Sequence, residues 1–205
     1  MKYPEFEAFK KARFEAPPWD HPTNPIGFPP EKLKVSSDIS AHLPMLEFLA
    51  SQVWSVTEFG TRGCYSTSAF LSGCRGRVKS YDLHWNTDID YLYRLQEKGK
   101  LPCEWRFEQG DTLKIKPIEL TQMLFIDTLH TYDQVIGELN RHAANVTTYL
   151  VFHDTSIYSQ GNVSVDRPNE AGILKAVDEF LEKNPQWQEV YRVEYNHGLL
   201  VLEKF

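Results

Sequence analysis

Met123-Leu124-Phe125-Ile126-Asp127-Thr128-Leu129-His130-Thr131-Tyr132-Asp133-Gln134-Val135-Ile136 is the stretch that decides the fold. Four consecutive apolar residues, 123–126, predict a strand buried on both faces, as in a parallel sheet. The run stops at Asp127. Thr131-x-x-Gln134 then matches a capping box, and Tyr132, Val135, Ile136 and Leu139 recur at i, i+3, i+4 and i+7. That spacing predicts an amphipathic helix starting within a few residues of the strand. A buried strand feeding a capped helix through a short loop is half of a βαβ unit.

The unit repeats in both directions. Upstream, residues 54–59 read as a strand followed at once by Gly60-Thr61-Arg62-Gly63 and a helix over 66–71. Residues 78–83 and 105–108 read as further strands, with a helix over 89–96 between them. Leu43, Leu46, Leu49, Ala50 and Val53 give a helix before the first strand, with Ser and Asp residues upstream able to cap it. Downstream, 148–152 is a strand ending in His153-Asp154, and Ile173, Leu174, Val177, Phe180 and Leu181 form an amphipathic helix. Strands over 189–195 and 199–203, joined by Asn196-His197-Gly198, read as an antiparallel hairpin. The pattern predicts an α/β fold: a doubly wound, mainly parallel, Rossmann-like sheet of about seven strands with a C-terminal antiparallel hairpin.

Of the 205 residues, 41% are hydrophobic and 24% charged, which excludes global disorder. Residues 17–30 carry six of the twelve prolines, a density incompatible with helix or central strand. The expected division is therefore an N-terminal helix and proline-rich arm over 1–35, and one α/β domain over 36–205. The arm reads as lying on the domain surface, with a substrate lid or a contact in a homo-oligomer as the alternatives. No apolar run approaches the roughly 20 residues a bilayer needs, and residues 1–13 hold no apolar signal-peptide core. The net charge of −6 gives nucleic-acid binding no support. Cys64, Cys74 and Cys103 form no C-x-x-C pair, so the expectation is a reduced, cytoplasmic protein without a thiolate zinc site.

In such a sheet ligands bind beyond the carboxyl ends of the strands. After the first strand come Glu58, Gly60, Thr61, Arg62, Gly63 and Ser66. Glycines let a ligand approach the backbone, and a helix start offers free N–H groups. The spacing is G-x-x-G, without the third glycine of a dinucleotide fingerprint; such a turn also serves as a plain connection. Asp82, twenty-two residues beyond Gly60, is placed to accept both hydroxyl hydrogens of a ribose, or to cap a turn. Gly110-Asp111-Thr112 follows the third strand, where an Asp meets an adenine amino group or caps its own turn.

Asp127 and Asp154 end consecutive apolar strands 27 residues apart, with room for one crossover helix between them. If the strands are neighbours, ~4.8 Å apart, two carboxylates converge at one edge. That is costly unless one is protonated or a cation sits between them. Oxygen ligands without cysteine favour Mg²⁺, Ca²⁺ or Mn²⁺; the alternative is that each Asp caps its own following segment. His130 enters the same edge, and an imidazole with a pKa of about 6.5 suits a general base. His153 is a further ligand candidate or a packing residue. His21, His42, His84, His142 and His197 lack comparable company in the sequence.

Glu58-Phe59-Gly60-Thr61-Arg62-Gly63-Cys64-Tyr65-Ser66-Thr67, Tyr81-Asp82, Gly110-Asp111, Ile126-Asp127-Thr128-Leu129-His130-Thr131-Tyr132 and Val151-Phe152-His153-Asp154 together resemble class I S-adenosylmethionine-dependent methyltransferases. The set is most similar to the small branch with a D-x-x-H-x-Y segment, which includes macrocin-type sugar O-methyltransferases and cephalosporin-hydroxylase-like proteins. Catechol O-methyltransferase is a more distant relative. The likeness runs over about 37–205.

The resemblance implies S-adenosyl-L-methionine as cofactor. Glu58, Gly60, Thr61, Arg62, Gly63 and Ser66 then form the first cofactor motif, Asp82 holds the ribose, Asp111 and Thr112 lie near adenine, and Asp127 borders the cofactor. It also implies a divalent cation, Mg²⁺ foremost, on Asp127 and Asp154, with His130 as catalytic base beside Asp127. This chain departs from the pattern at His153-Asp154, where the macrocin type carries Glu-Asp, and at Asp154-Thr155, where catechol-type enzymes carry Asp-Asn. The third ligand is His153, a water, or none in a metal-free site. Arg62 and Cys64 are bulkier than the small residues usual in this turn.

The expected function is metal-assisted O-methylation of a hydroxyl on a small molecule such as a sugar or secondary metabolite. Tyr158 and the segment 156–169 are candidates to cover that acceptor. The alternatives are a non-catalytic domain that binds S-adenosylmethionine or a partner, and an NAD-dependent dehydrogenase, which the missing third glycine disfavours.

Overall fold

The computed structural model describes residues 3–16, 37–157 and 172–205. Seven strands form one sheet: β1 (Ser55–Phe59), β2 (Arg77–Asp82), β3 (Glu104–Gln109), β4 (Thr121–Ile126), β5 (Val146–His153), β6 (Trp187–Val193) and β7 (Leu199–Lys204). Their order is β3-β2-β1-β4-β5-β7-β6. The first five pair in parallel, and β7 runs antiparallel to both β5 and β6. This is the Rossmann-like sheet with a reversed C-terminal hairpin that the strand pattern predicts. Strand order turns round between β1 and β4, so their carboxyl ends flank the crevice where such sheets bind ligands.

Six helices are described: α1 (Pro4–Phe14), α2 (Leu43–Ser51), α3 (Tyr65–Gly73), α4 (Thr87–Glu97), α5 (Tyr132–His142) and α6 (Ile173–Lys183). Alternate residues of the central strands feed opposite layers, as a period of two requires. Met123 and Phe125 of β4 pack with Leu46, Phe70 and Leu92 from α2, α3 and α4. Leu124 and Ile126 pack on the other side with Val135, Leu139 and Val177 from α5 and α6. No helix among the described residues is long and apolar enough to cross a membrane.

Two local expectations change, and one helix packs where the sequence made no prediction. Thr131 caps α5 through Gln134 N at 3.3 Å, but the Gln134 side chain reaches Thr112 and Glu138 instead of returning to the cap, so only half the capping box forms. Helix α2 has no side-chain cap; a 3₁₀ turn over Ser40–His42 leads into it. Helix α1 is part of the core, because Phe6 is fully buried and Phe9 nearly so. It reaches the glycine turn as well: Arg13 Nε donates to Gly63 O at 2.9 Å and pairs with Asp88 at 2.8 Å. The boundary expected at residue 35, the proline-rich stretch 17–30, Tyr158 and most of 156–169 lie outside the described residues.

Candidate active site

The ends of β1 and β4 are drawn together by hydrogen bonds that leave no room for a side chain. Gly60 has φ +88°, and a Cβ on it would meet Asp127 O at 2.0 Å. Asp127 N donates to Phe59 O at 2.9 Å, and Gly60 N to Tyr81 O at 2.8 Å. The turn continues through Arg62 and Cys64, both left-handed with φ 40° and 55°. Its N–H groups converge on one carboxylate: Thr61 N and Arg62 N donate to Asp82 Oδ2 at 2.8 and 3.0 Å, with Thr61 Oγ1 at 3.1 Å. His84 N holds the other oxygen at 2.9 Å. Burial works to raise the Asp82 pKa, but these backbone donors prevail and hold it below the usual carboxylate value.

Glu58 lies fully buried beneath the turn. It accepts from Ser66 at 2.5 Å, Thr67 at 2.8 Å and Ser80 at 2.6 Å, tying β1, α3 and β2 together. Burial pushes its pKa up to about 7 despite these three hydroxyls. The Arg62 side chain is exposed and paired with Asp38 at 2.8 Å.

Beyond β1, β2, β3 and β4 opens a cleft of about 360 Å³, within the roughly 300–1,000 Å³ usual for ligand pockets. Gly60, Asp82, Asp111, Thr112 and Asp127, all expected at a cofactor, line it with Leu83, His84, Thr128, Leu129 and Gln134. Glu58, Thr61, Arg62, Gly63 and Ser66 build the turn beside the cleft and are not among its lining residues. Asp111 holds Lys114 at 2.8 Å and caps Leu113 N at 2.9 Å.

Asp127 forms one border of that cleft and one border of a polar cluster. β4 and β5 are neighbours, so Asp127 and Asp154 meet at one edge. One ligand atom each from Asp127, His153 and Asp154 lie within 4.8 Å of one another. Asp154 is buried and has left-handed φ, 60°. His130 Nε2 sits 2.7 Å from Asp154 Oδ2 and 3.6 Å from Asp127 Oδ1.

His153 is informative through its two nitrogens. Nε2 faces only carbonyl oxygens, Asp38 O at 3.1 Å and Asn196 O at 3.3 Å, so Nε2 carries a proton. Nδ1 is buried without a hydrogen-bond partner, yet faces Asp154 at 3.2 Å and Asp127 at 3.5 Å. A bare nitrogen lone pair aimed at two carboxylates is repulsive, so either Nδ1 is protonated too or a cation lies between the three groups. Burial works against the charged ring, but the carboxylates raise the His153 pKa well above its ordinary value. Burial likewise opposes charge on His130, and Asp127 and Asp154 still push it up to about 9. Asp154 is lowered in turn by His153, His130 and His197 against its burial.

Three participants escape the sequence reading. His197 lacks company along the chain but not in space, because the β6–β7 turn places its Nδ1 2.8 Å from Asp154 Oδ1. His42 is buried with its ring 5.6 Å from that of His153 and Nε2 2.9 Å from Asn196 O. The His197–Asp154 contact spans 43 residues and the His42–Asn196 contact 154, and no local pattern encodes either. Glu138 is buried on α5 and accepts from Thr112 at 2.5 Å, Gln134 at 2.8 Å and Thr128 at 3.0 Å, three residues that line the cleft. Its signal was available: an acid on the apolar face of α5, beside Val135 and Leu139.

Residues 113–202, which contain Asp127, His130, Asp154 and His197, match the family described as Rhamnosyl O-methyltransferase/CmcI. The match covers under half of the chain, and over that part the chain is similar to this O-methyltransferase family. Among curated proteins none matches the chain. Solved O-methyltransferase structures share its fold at low identity. A Staphylococcus aureus protein described as a caffeoyl-CoA O-methyltransferase is 17% identical, with TM-score 0.58 over 80% of this chain and 83% of its own. TomG from Streptomyces achromogenes, an O-methyltransferase of tomaymycin synthesis solved with S-adenosylmethionine, is 17% identical, with TM-score 0.53 over 97% and 88%. MycE of the mycinamycin pathway, solved with Mg, S-adenosylhomocysteine and mycinamycin VI, is 16% identical, with TM-score 0.53 over 81% and 49%. In this methyltransferase fold the glycine turn and Asp82 lie N-terminal to the family match, and the His/Asp cluster lies within it.

Proposed function

We propose that this chain is a cytoplasmic, S-adenosylmethionine-dependent O-methyltransferase that uses a divalent cation, Mg²⁺ foremost, to methylate a hydroxyl of a small molecule such as a sugar or secondary metabolite. The observation that carries the reading is the meeting of Asp127, His130, His153 and Asp154 at the rim of a cleft sized for a cofactor. Two features favour the groups it requires. Gly60, where a Cβ would collide with the Asp127 backbone, lets the β1 and β4 ends close together, and its backbone and Asp82 stand in the cleft lining, as an adenosyl group needs. The Nδ1 of His153, without a hydrogen-bond partner and turned towards two carboxylates, is a donor set for a cation. The three free cysteines suit a reducing compartment.

Bound S-adenosylmethionine supplies an electrophilic methyl group, and a cation on Asp127, His153 and Asp154 supplies the charge that lowers the pKa of a hydroxyl. The chain contributes mainly position, since an in-line displacement depends on how the partners are held. Asp82 and the glycine turn hold the adenosyl end, and Glu138 fixes Thr112, Thr128 and Gln134 in the cleft lining. His130 balances the two carboxylates as an imidazolium in the metal-free arrangement. Were Asp127, His153 and Asp154 to hold a cation, it would supply charge at the hydroxyl, and His130, whose Nε2 stands at the same edge, would be the residue placed to take the hydroxyl proton.

The test is calorimetric binding of S-adenosylmethionine, followed by transfer of its labelled methyl to a panel of sugars and phenols with Mg²⁺ or with EDTA. Asp82→Ala should weaken cofactor binding at least ~10-fold. His130→Ala should retain cofactor binding and lose at least ~10²-fold in transfer, the contribution usual for a general base. EDTA should abolish transfer and Mg²⁺ restore it. Binding of NAD in place of S-adenosylmethionine would sink the reading, and cofactor binding with no transfer across the panel would favour a non-catalytic domain.

A further inference from the structure

We propose that His197 is a positioning residue that locks the Asp154 carboxylate in the orientation that receives a divalent cation. This rests on the metal-assisted reading above and extends it to a residue outside the donor set. Asn196, His197 and Gly198 all have left-handed backbone, φ 47°, 70° and 94°. Two successive non-glycine residues in that region persist only where their surroundings hold them, and such positions cluster at functional sites. What holds them is visible. His197 O accepts from Ser156 N at 2.9 Å. A Cβ on Gly198 would lie 2.6 Å from Ser156 N and 2.7 Å from Thr155 Oγ1. The turn is thus pressed against the segment that leaves β5, and Asp154, in that segment, is itself left-handed.

The consequence is a division of labour between the two oxygens of Asp154. Oδ1 accepts from His197 Nδ1 at 2.8 Å. A carboxylate only accepts, so Nδ1 carries the proton. Oδ2 is left facing His130 at 2.7 Å and His153 at 3.2 Å, in the donor set. The same turn acts on a second ligand: Asn196 O accepts from His153 Nε2 at 3.3 Å, which leaves His153 Nδ1 as the nitrogen turned to the carboxylates. One strained turn therefore orients two of the three donors. Hydrogen-bond partners of metal ligands are typically worth ~10–100-fold in affinity.

The experiment is titration of the full chain with MnCl₂ alone, followed by electron paramagnetic resonance, with no methyl donor or acceptor present. Asp127→Asn reports on the metal reading itself and should lose saturable binding. His197→Gly removes the donor without left-handed strain and should weaken Mn²⁺ ~10–100-fold. His197→Asn, which tolerates the same backbone and offers an N–H near the position of Nδ1, should recover most of that loss. Equal affinity in unaltered protein and His197→Gly would overturn the role of His197 while leaving the metal reading intact. No saturable Mn²⁺ binding in unaltered protein would overturn both. Should His197→Gly fail to fold, imidazole ¹⁵N spectra of unaltered protein decide. A protonated His197 Nδ1 whose signal moves on adding Mg²⁺ supports the role, and an unprotonated or unresponsive one overturns it.

Discussion

At Gly60 a hydrogen in place of a methyl group decides how closely two strand ends approach. The G-x-x-G spacing marks this turn in the sequence, but not which glycine is indispensable. The geometry separates them: a Cβ at Gly60 collides with the Asp127 backbone, whereas one at Gly63 meets side chains, the Tyr65 ring at 3.0 Å and Asp88 Oδ2 at 3.9 Å. Gly60→Ala should cost about 2–4 kcal/mol, the sum of left-handed strain of roughly 1 kcal/mol and overpacking of about 1–3 kcal/mol. In urea the midpoint should fall with the slope unchanged. Because the collision is with Asp127, cofactor affinity should fall in the same variant. A stability change within about 0.5 kcal/mol, the range of a neutral surface substitution, would mean that the β1 and β4 ends can part without loss.

Among the elements, α1 carries packing that its sequence does not announce. Its eleven residues, Pro4–Phe14, carry Glu5, Glu7, Lys10, Lys11 and Arg13, and read as a short helix leading into a proline-rich arm. Phe6 is nevertheless fully buried with residues of α2, α3 and α4. Phe6→Ala should therefore cost about 3–5 kcal/mol, the range for a buried phenylalanine, against near neutrality if α1 were a detached arm. Chemical denaturation distinguishes the two directly. The contrast with β4 and β5 explains what was legible. β4 and the carboxyl half of β5 are buried on both faces, so composition marks them, and each strand leads into its aspartate; the convergence of Asp127 and Asp154 follows from sheet order. What α1 touches, and what the β6–β7 turn touches, depends on contacts between residues far apart in the chain. His197 meets Asp154 through the register of β7 on β5, in which Leu199 lies opposite His153, and no periodicity announces a partner at that distance.

For the molecule as a whole, two buried acids set an opposite pH trend from the His/Asp cluster. Asp127 and Asp154 are lowered, so their contribution is present above the ordinary aspartate range and lost as pH falls below it. Glu58 and Glu138 are both raised, to about 7, chiefly by burial. Between about 4.5, their unfolded value, and about 7, the folded state binds more protons at these two sites than the unfolded state. Unfolding free energy changes with pH as the protons bound unfolded minus those bound folded, so this contribution falls through that window and levels off above it. Glu138→Gln isolates the effect. Its amide oxygen can keep the place of Oε1, which takes Thr112 and Gln134, and its NH₂ then faces Thr128, whose hydroxyl can accept. The variant should gain on unaltered protein as pH rises from about 5 to 8, by about 3 kcal/mol if the full shift is expressed. Urea unfolding at a series of pH values measures the difference, in which every other titrating group cancels. Parallel profiles would mean that Glu138 is already ionised in the folded protein at pH 5, held so by its hydroxyl and amide donors. The wall formed by Thr112, Thr128 and Gln134 would then rest on a buried charge at every working pH.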